Sequence, residues 1–395
     1  MTNTTTQTRR YDLDWLRIIA FGLLIFYHTG MFYVTWGWHV KSDHASHAAE
    51  PIMRLLNPWR LDLLFFISGV ATRFVAEKMS AVQLGVSRFN RLFWPLLFGM
   101  VVIVPPQTFL QVTEQFGYHG GYGDFYLKYL TAYHGWCGTD GCLTVPTWNH
   151  LWYVAYLLAY CLVFAVLWPL LKRIPMDWAK SLPAWVYVAV PMVYYWFGDY
   201  VLDPLFPQTH AFVGDWYVHY DSAGFFVMGV LAARFDRLFD IAARMRVFSL
   251  ITGLAAWAGL EYLRVAWSAG RISDFNAELI GNPIETAQAV FMILALLGFA
   301  RRYLAKADGP VRRTLTEAIF PFYIVHQTII VVAAWNLNRL HWPVGIEFAT
   351  LIAVTVAGCW ATYVVVSRIG FLRPLFGMTF RRALTPEKAG VTSPA

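Results

Sequence analysis

Residues 9–30 read RRYDLDWLRIIAFGLLIFYHTG, a basic start followed by a long apolar run that Arg17 and His28 interrupt. Crossing about 30 Å of hydrocarbon takes about 20 mostly apolar residues, so the stretch 13–36 is long enough to span a bilayer. It is too long for a secretory signal and has no small-x-small cleavage site, which predicts a retained helix. Similar runs lie near 57–76, 91–111, 150–171, 184–199, 218–233, 247–268, 284–300, 316–336 and 345–367. Together they predict an all-α, polytopic transmembrane bundle of about ten helices. The fifth and sixth runs are short and broken by Pro191, Gly224 and Gly229. Continuous apolar runs, rather than period-two alternation, favour a helical bundle over a barrel.

Composition agrees. The 395 residues are 58% apolar and 14% charged, against about 25% charged in an average soluble domain. Disordered, nucleic-acid-binding and disulfide-framework classes are excluded on the same grounds. The net charge of +7 is a topology signal. With a cytoplasmic N-terminus, basic residues crowd the alternate segments that would face the cytoplasm: Arg9 and Arg10; Lys78, Arg88 and Arg91; Lys172, Arg173 and Lys180; then runs near 234–246, 301–313 and 368–388. The opposite segments hold only Lys41, Arg54, Arg60, Lys128, Arg271 and Arg339. Both termini are therefore expected in the cytoplasm. The chain divides into a cytoplasmic segment 1–12, a transmembrane domain 13–368 and a short basic tail 369–395.

Ionisable groups inside a bilayer are costly and mark function by default. Arg17 and His28 are eleven residues apart, close to three turns, which places them on one face about 16 Å apart along the axis. Asp14 lies one turn before Arg17 and is positioned to pair with it. In the antiparallel run PWRLDLLFFISGVATRF (58–74) Asp62 and Arg73 repeat the eleven-residue spacing. Matched for depth, Arg73 falls level with Arg17 and Asp62 within a turn of His28. Packing of the two helices face to face would place a cationic layer near the cytoplasm and a His28–Asp62 pair deeper, the carboxylate fixing the tautomer of the imidazole. Arg88 and Arg91 form a fork at the start of the third span that suits phosphates; ordinary positive-inside charge is the alternative. His326 lies near mid-depth, and Glu261 has Arg264 one turn on as an internal ion partner. Ser68 and Tyr27 are candidate donors to an oxyanion.

The opposite side holds most of the eleven His, including His39, His44, His47, His119, His134, His150, His210, His219 and His341. Many Trp lie there too, among them Trp36, Trp38, Trp59, Trp136, Trp148, Trp152, Trp216 and Trp342. An interfacial aromatic belt accounts for most of these, and sugar stacking for a few. No spacing suggests a metal site. Cys137 and Cys142 fall in the outer loop 112–149, where a disulfide is permitted; two unpaired thiols are the alternative. Cys161 and Cys359 are intramembrane.

At these residues the chain resembles the acyltransferase 3 family of bacterial membrane O-acyltransferases. The features are Asp14-Trp15-Leu16-Arg17 followed by His28, FFISG (65–69), Arg88-x-x-Arg91, HLWYVAYLLAY (150–160) and FPFYIVHQ (320–327). Within the family it looks closest to the glucan biosynthesis protein C branch, which adds succinyl groups to periplasmic glucans. The resemblance implies a cell inner membrane protein that moves an acetyl- or succinyl-class group from cytoplasmic acyl-CoA to a hydroxyl of an extracytoplasmic glycan. It implies no metal and no nucleic-acid partner. Arg17, Arg73, Arg88 and Arg91 would hold the donor phosphates. His28, with Asp62, would serve as general base or as acyl acceptor, two routes the sequence leaves open. The competing class is a carrier or exporter of a polar or anionic solute, in which the same buried groups line a path.

Overall fold

The computed structural model describes residues 9–138, 141–175 and 181–380. Residues 1–8, Lys180 and the part of the tail with Arg381, Arg382 and Lys388 lie outside it. The chain is 76% helical, and its strands among the described residues are the two-residue β1 (Cys137–Gly138) and β2 (Gly141–Cys142), an antiparallel pair. Cys137 and Cys142 are joined by a disulfide across this hairpin.

The long helices are α1 (Tyr11–Tyr33), α2 (Glu50–Ala76) and α3 (Ala81–Phe98), with short α4 (Pro105–Phe116) and α5 (Tyr122–Leu130) between α3 and α6 (Trp152–Leu171). Then follow α7 (Val186–Phe197), α8 (Trp216–Ala232), α9 (Asp236–Ser268), α10 (Asp274–Tyr303), α11 (Pro310–Asn338), α12 (Val344–Arg368) and the single turn α13 (Leu372–Leu375). Among the described residues six helical stretches are long and apolar enough to cross a membrane: Tyr11–Tyr33, Ala81–Ile103, Asn149–Leu171, Asp274–Tyr303, Pro310–Asn338 and Val344–Arg368. The protein is an all-α membrane protein. Helices also occupy the other four predicted stretches: α7 and α8 are short, and α2 and α9 are long but are not among these six.

The third stretch differs from the expectation of one span over 91–111. A capping box on Ser80 and Gln83 starts α3 at Ala81, so Arg88 and Arg91 lie two turns inside the helix rather than at its mouth. A wide turn over Gly99–Ile103 then separates α3 from α4. The carbonyls it frees are not left bare: Met100 O accepts from Tyr129 Oη (2.8 Å), Val101 O from Tyr126 Oη (3.0 Å) and Ile103 O from Thr328 Oγ1 (2.8 Å).

Intrahelical prolines are handled in the same way. Pro58 lacks the N–H that the Arg54 carbonyl needs, and Gln288 Nε2 of α10 supplies one at 3.0 Å. Pro283 frees the Leu279 carbonyl, which accepts from Tyr200 Oη at 2.8 Å.

Helix α2 is the hub. Gly69 of the FFISG run meets the Phe226 carbonyl of α8, and Gly229 of α8 meets the Phe66 carbonyl of α2. A Cβ at either position would collide with backbone, so these small residues allow the close helix approach common in membranes. Elsewhere α9 pairs with α10, α11 with α12, and α3 with α6, while α1 runs between α2, α10 and α11. The α2–α8 contact decides the site, because it turns the Asp62 face of α2 towards α8.

Candidate functional site

At the end of the bundle where α1 begins, Arg9, Arg10, Arg17 and Lys78 line a chamber of about 270 Å³ with Asp14 and the apolar face of α2. Arg88 reaches its wall, donating from Nη2 to the Ala71 carbonyl at 3.2 Å. Arg17, Arg88 and Arg91 stand within electrostatic range of one another. Two features depart from the sequence expectation. Asp14 does not pair with Arg17; it accepts from Arg312 (2.6 Å) and Arg9 (2.9 Å), and Arg312 is itself buried between Asp14 and Asp308. Arg73 is not part of the chamber: it bonds Glu77 at 3.0 Å and stacks on Trp168, because the α2 face it shares with Asp62 turns towards α6 and α8. The consequence is an imbalance of charge. Arg17 Nε and Arg88 Nε are buried without a hydrogen-bond partner among the described residues, an arrangement that is costly unless an anion completes it.

Deeper in the bundle three imidazoles meet. His28 Nδ1 lies 2.8 Å from His326 Nε2, and His326 Nδ1 lies 2.7 Å from the Tyr323 carbonyl. A carbonyl only accepts, so His326 Nδ1 carries a proton and, in a neutral ring, Nε2 is the acceptor. His28 must then donate from Nδ1, which leaves its Nε2 as an unprotonated lone pair. His28 is the half-buried member; His326 is 1% exposed. His150 packs edge-on to His326 with ring centroids 5.1 Å apart, and its Nε2 donates to the Ile324 carbonyl at 3.0 Å. The His28–Asp62 pair expected from depth is therefore absent. His326 holds the position assigned to the carboxylate, because α1 turns its His28 face to α11 while Asp62 faces α8. The sequence places His150 among the outer histidines; the short helical turn Asn149–Leu151 ahead of α6 carries it inward against His326.

Between chamber and imidazoles runs a column of rings. Tyr153 lies near Arg17, Phe21 stands 6.5 Å from Tyr153 and 5.2 Å from Tyr323, and Tyr323 stands 5.9 Å from His326. Ser68 Oγ is 2.7 Å from Tyr153 Oη, which donates to the Leu64 carbonyl at 3.2 Å. The Ser68 hydroxyl thus donates to Tyr153, and Tyr27 Oη donates to Asn57 at 2.8 Å. Neither candidate oxyanion donor has an uncommitted proton. An apolar crevice of about 140 Å³ between α1 and α11, lined by Ile18, Phe21, Ile25, Ile319 and Phe322, ends on His326.

The loop after α1 braces this centre. His39 Nδ1 is 2.7 Å from Gln111 Oε1, and His39 Nε2 accepts from Gln327 Nε2 at 2.9 Å, one residue from His326. Burial pushes the His39 imidazole down to about 4 from about 6.5 in an unfolded chain. The unfolded state binds the proton first on acidification. The stability that neutral His39 contributes is thus complete above about pH 6.5 and is lost as pH falls towards 4. His39→Gln, which cannot charge, is expected to flatten the fall of the thermal midpoint between pH 7 and pH 4.5; an unchanged slope would remove His39 from that role.

At the far end of the bundle, Asp62 opens with Asp221 into a polar cavity of about 240 Å³ between α2, α7, α8 and α10. Glu261 lies in an adjoining cavity of about 270 Å³. Its partner is Arg54 of α2, at 2.7 and 2.8 Å, rather than Arg264 on its own helix. A planar two-point match across helices replaces the single contact expected along one. Among the described residues no group of His, Cys, Asp and Glu is arranged to hold a metal ion.

Comparison with known proteins assigns a family. The model described as an acyltransferase domain matches residues 10–364, nearly all of the described chain. No curated protein and no solved structure matches it.

Proposed function

The chain belongs to the acyltransferase 3 family and is a membrane O-acyltransferase; from that premise we propose that it carries an acetyl- or succinyl-class group from cytoplasmic acyl-CoA to a hydroxyl of an extracytoplasmic glycan. The observation that carries the proposal is the bond from His28 Nδ1 to His326 Nε2, which leaves Nε2 of His28 as an unprotonated lone pair on the same helix as Arg17, whose Nε is buried without a hydrogen-bond partner among the described residues. The basic segments support ten spans with both termini in the cytoplasm, which puts the arginine chamber on the side of the donor. The sequence motifs support an inner-membrane location and a place beside the glucan biosynthesis protein C branch.

In this reading Arg17, Arg88 and Arg91 bind the donor phosphates. The thin arm of the donor passes the column of rings, and the apolar crevice takes the carbon chain next to the thioester. In the direct route His28 Nε2 accepts the proton of the acceptor hydroxyl as its oxygen bonds to the thioester carbonyl carbon. The carbon–sulfur bond then breaks, and the departing thiolate recovers the proton from Nε2. In the stepwise route Nε2 attacks the carbonyl itself and the thiolate leaves, taking up a proton from water; the acceptor hydroxyl then displaces the imidazole from the acyl carbon and returns its proton to water. In both, the Nδ1–H bond to His326 holds the ring so that Nε2 faces the substrate.

The test is thiol release from acyl-CoA by the purified protein in liposomes, with and without a glycan acceptor. Acceptor-dependent release with acyl groups recovered on the glycan supports the proposal. Transport of a solute with no thiol released would favour a carrier. Within the same assay Arg88→Ala is expected to raise the donor KM about tenfold, the effect of losing one charged hydrogen bond, with a smaller change in kcat. An unchanged KM would return Arg88 to a topological role.

A further inference from the structure

Away from the imidazoles, helices α7, α8 and α10 stand apart and leave a pocket of about 350 Å³ that acyl transfer does not use. Its floor is Phe66 of α2, Phe225 and Met228 of α8, and Ile293 and Leu297 of α10. Among the described residues every lining side chain is apolar except that of Tyr187. The opening comes from α7, none of whose residues is buried. The lips are Val190 of α7, 54% exposed, and Leu231 of α8, 39% exposed. Water needs polar partners to occupy such a space, so hydrocarbon is its natural filling.

Charge at the mouth narrows the choice of hydrocarbon. The pocket lies at the arginine-bearing end of the bundle: Phe235 and Leu238 line it, and Asp236 between them bonds Arg10 at 3.2 Å. Arg234, the residue before Phe235, is exposed and donates to the Ile174 carbonyl at 3.3 Å, which sets it beside the exposed Lys172 and Arg173. The carboxylates of the same segment are already matched, Asp236 by Arg10 and Arg301 and Asp240 by Arg301. Arg234, Lys172 and Arg173 pair with no carboxylate among the described residues. An apolar slot below unopposed cations matches a lipid chain below an anionic headgroup.

The pocket also shares a wall with the helix contact that orients the site. Phe66, whose carbonyl meets Gly229, lines it, and Phe225 and Met228 flank Phe226, whose carbonyl meets Gly69. A chain packed there adds dispersion contacts to the α2–α8 pair. We propose that the pocket binds one acyl chain of an anionic glycerophospholipid, with its headgroup phosphate at Arg234, Lys172 and Arg173, and that this lipid stabilises the α2–α8 contact. In the orientation proposed above the lipid comes from the cytoplasmic leaflet. The inference goes beyond acyl transfer and does not depend on it.

The experiment strips the full-length protein of lipid by detergent exchange and offers equal amounts of phosphatidylglycerol and phosphatidylcholine with the same chains. Native mass spectrometry counts the lipid retained, and the thermal midpoint is read in parallel. One phosphatidylglycerol per chain is expected, retained at least about tenfold over phosphatidylcholine, since each basic group near the headgroup contributes about fivefold. The midpoint should rise by several degrees with phosphatidylglycerol and less with phosphatidylcholine. Val190→Trp, which fills the pocket from an exposed lip, should remove both the retention and the rise. Should it fold poorly, Leu231→Trp blocks the pocket from the other lip. Arg234→Ala should cut the preference for phosphatidylglycerol about fivefold. Equal retention of the two lipids, or retention by both tryptophan variants at the wild-type level, overturns the proposal. Binding is measured without acyl-CoA, so its failure removes the lipid site alone, and failure of thiol release removes the enzyme reading alone.

Discussion

His28→Ala lowers acyl transfer by about 10³- to 10⁴-fold, the contribution of a well-placed general base or nucleophile and equivalent to about 4 to 5.5 kcal/mol of transition-state stabilisation. The loss falls on kcat, because the donor phosphates bind at the arginine chamber about 16 Å away along α1. Folding is little affected: His28 is half-buried, and its hydrogen bond runs to another side chain rather than to backbone. Initial rates of thiol release at saturating donor, with the thermal midpoint as control, give the answer. Activity within threefold of wild type would remove the imidazole from the chemistry. The same assay separates the two routes. An acyl-imidazole route gives a stoichiometric burst of thiol from wild type without acceptor, whereas direct attack gives none.

The second large effect belongs to His326. It touches no reacting atom in this account, and its work is to hold His28 in the Nδ1–H tautomer through the 2.8 Å bond. Loss of the tautomer-fixing partner of a catalytic histidine costs about 10⁴-fold where that partner is a carboxylate. A neutral imidazole polarises less, so His326→Phe is expected to cost about 10²-fold in kcat with little change in the donor KM. His326→Gln keeps an acceptor for the Nδ1 proton and is expected to recover at least tenfold over the phenylalanine variant. Equal rates in the two variants would reduce His326 to a packing residue.

How much of this was legible in the sequence follows from which interactions are local. The helical class, the shared face of Arg17 and His28 and their depth come from a period of 3.6 residues and a fixed rise. The Cys137–Cys142 bridge, which the sequence permits by their nearness in one outer loop without excluding free thiols, is formed. Partner choice across helices could not. Depth alone leaves His28 free to meet either α2 or α11, and the choice is made by Gly69 and Gly229, which draw α2 onto α8 and take Asp62 with it. The same rotation carries Arg73 to Trp168. Asp14 matched Arg17 by spacing, yet Arg312, about 300 residues on in the chain, holds it. His150 reads as interfacial from its place at the start of a span; the signal for its inward position is HLWYVAYLLAY itself, in which the histidine opens the apolar run. The polar cavity of Asp62 and Asp221 is the hardest to foresee, since its lining comes from separate segments and none forms a local motif.

Sidedness tests the central claim most directly, that one imidazole serves substrates from two compartments. Sealed vesicles of a single protein orientation, checked by protease access to the N-terminal end of the chain, receive acyl-CoA on one face and a neutral glycan on the other. The account predicts acylated glycan only when the donor is on the face of Arg17, Arg88 and Arg91 and the acceptor is on the face of Asp62 and Asp221. Equal transfer with both substrates confined to one face would contradict it.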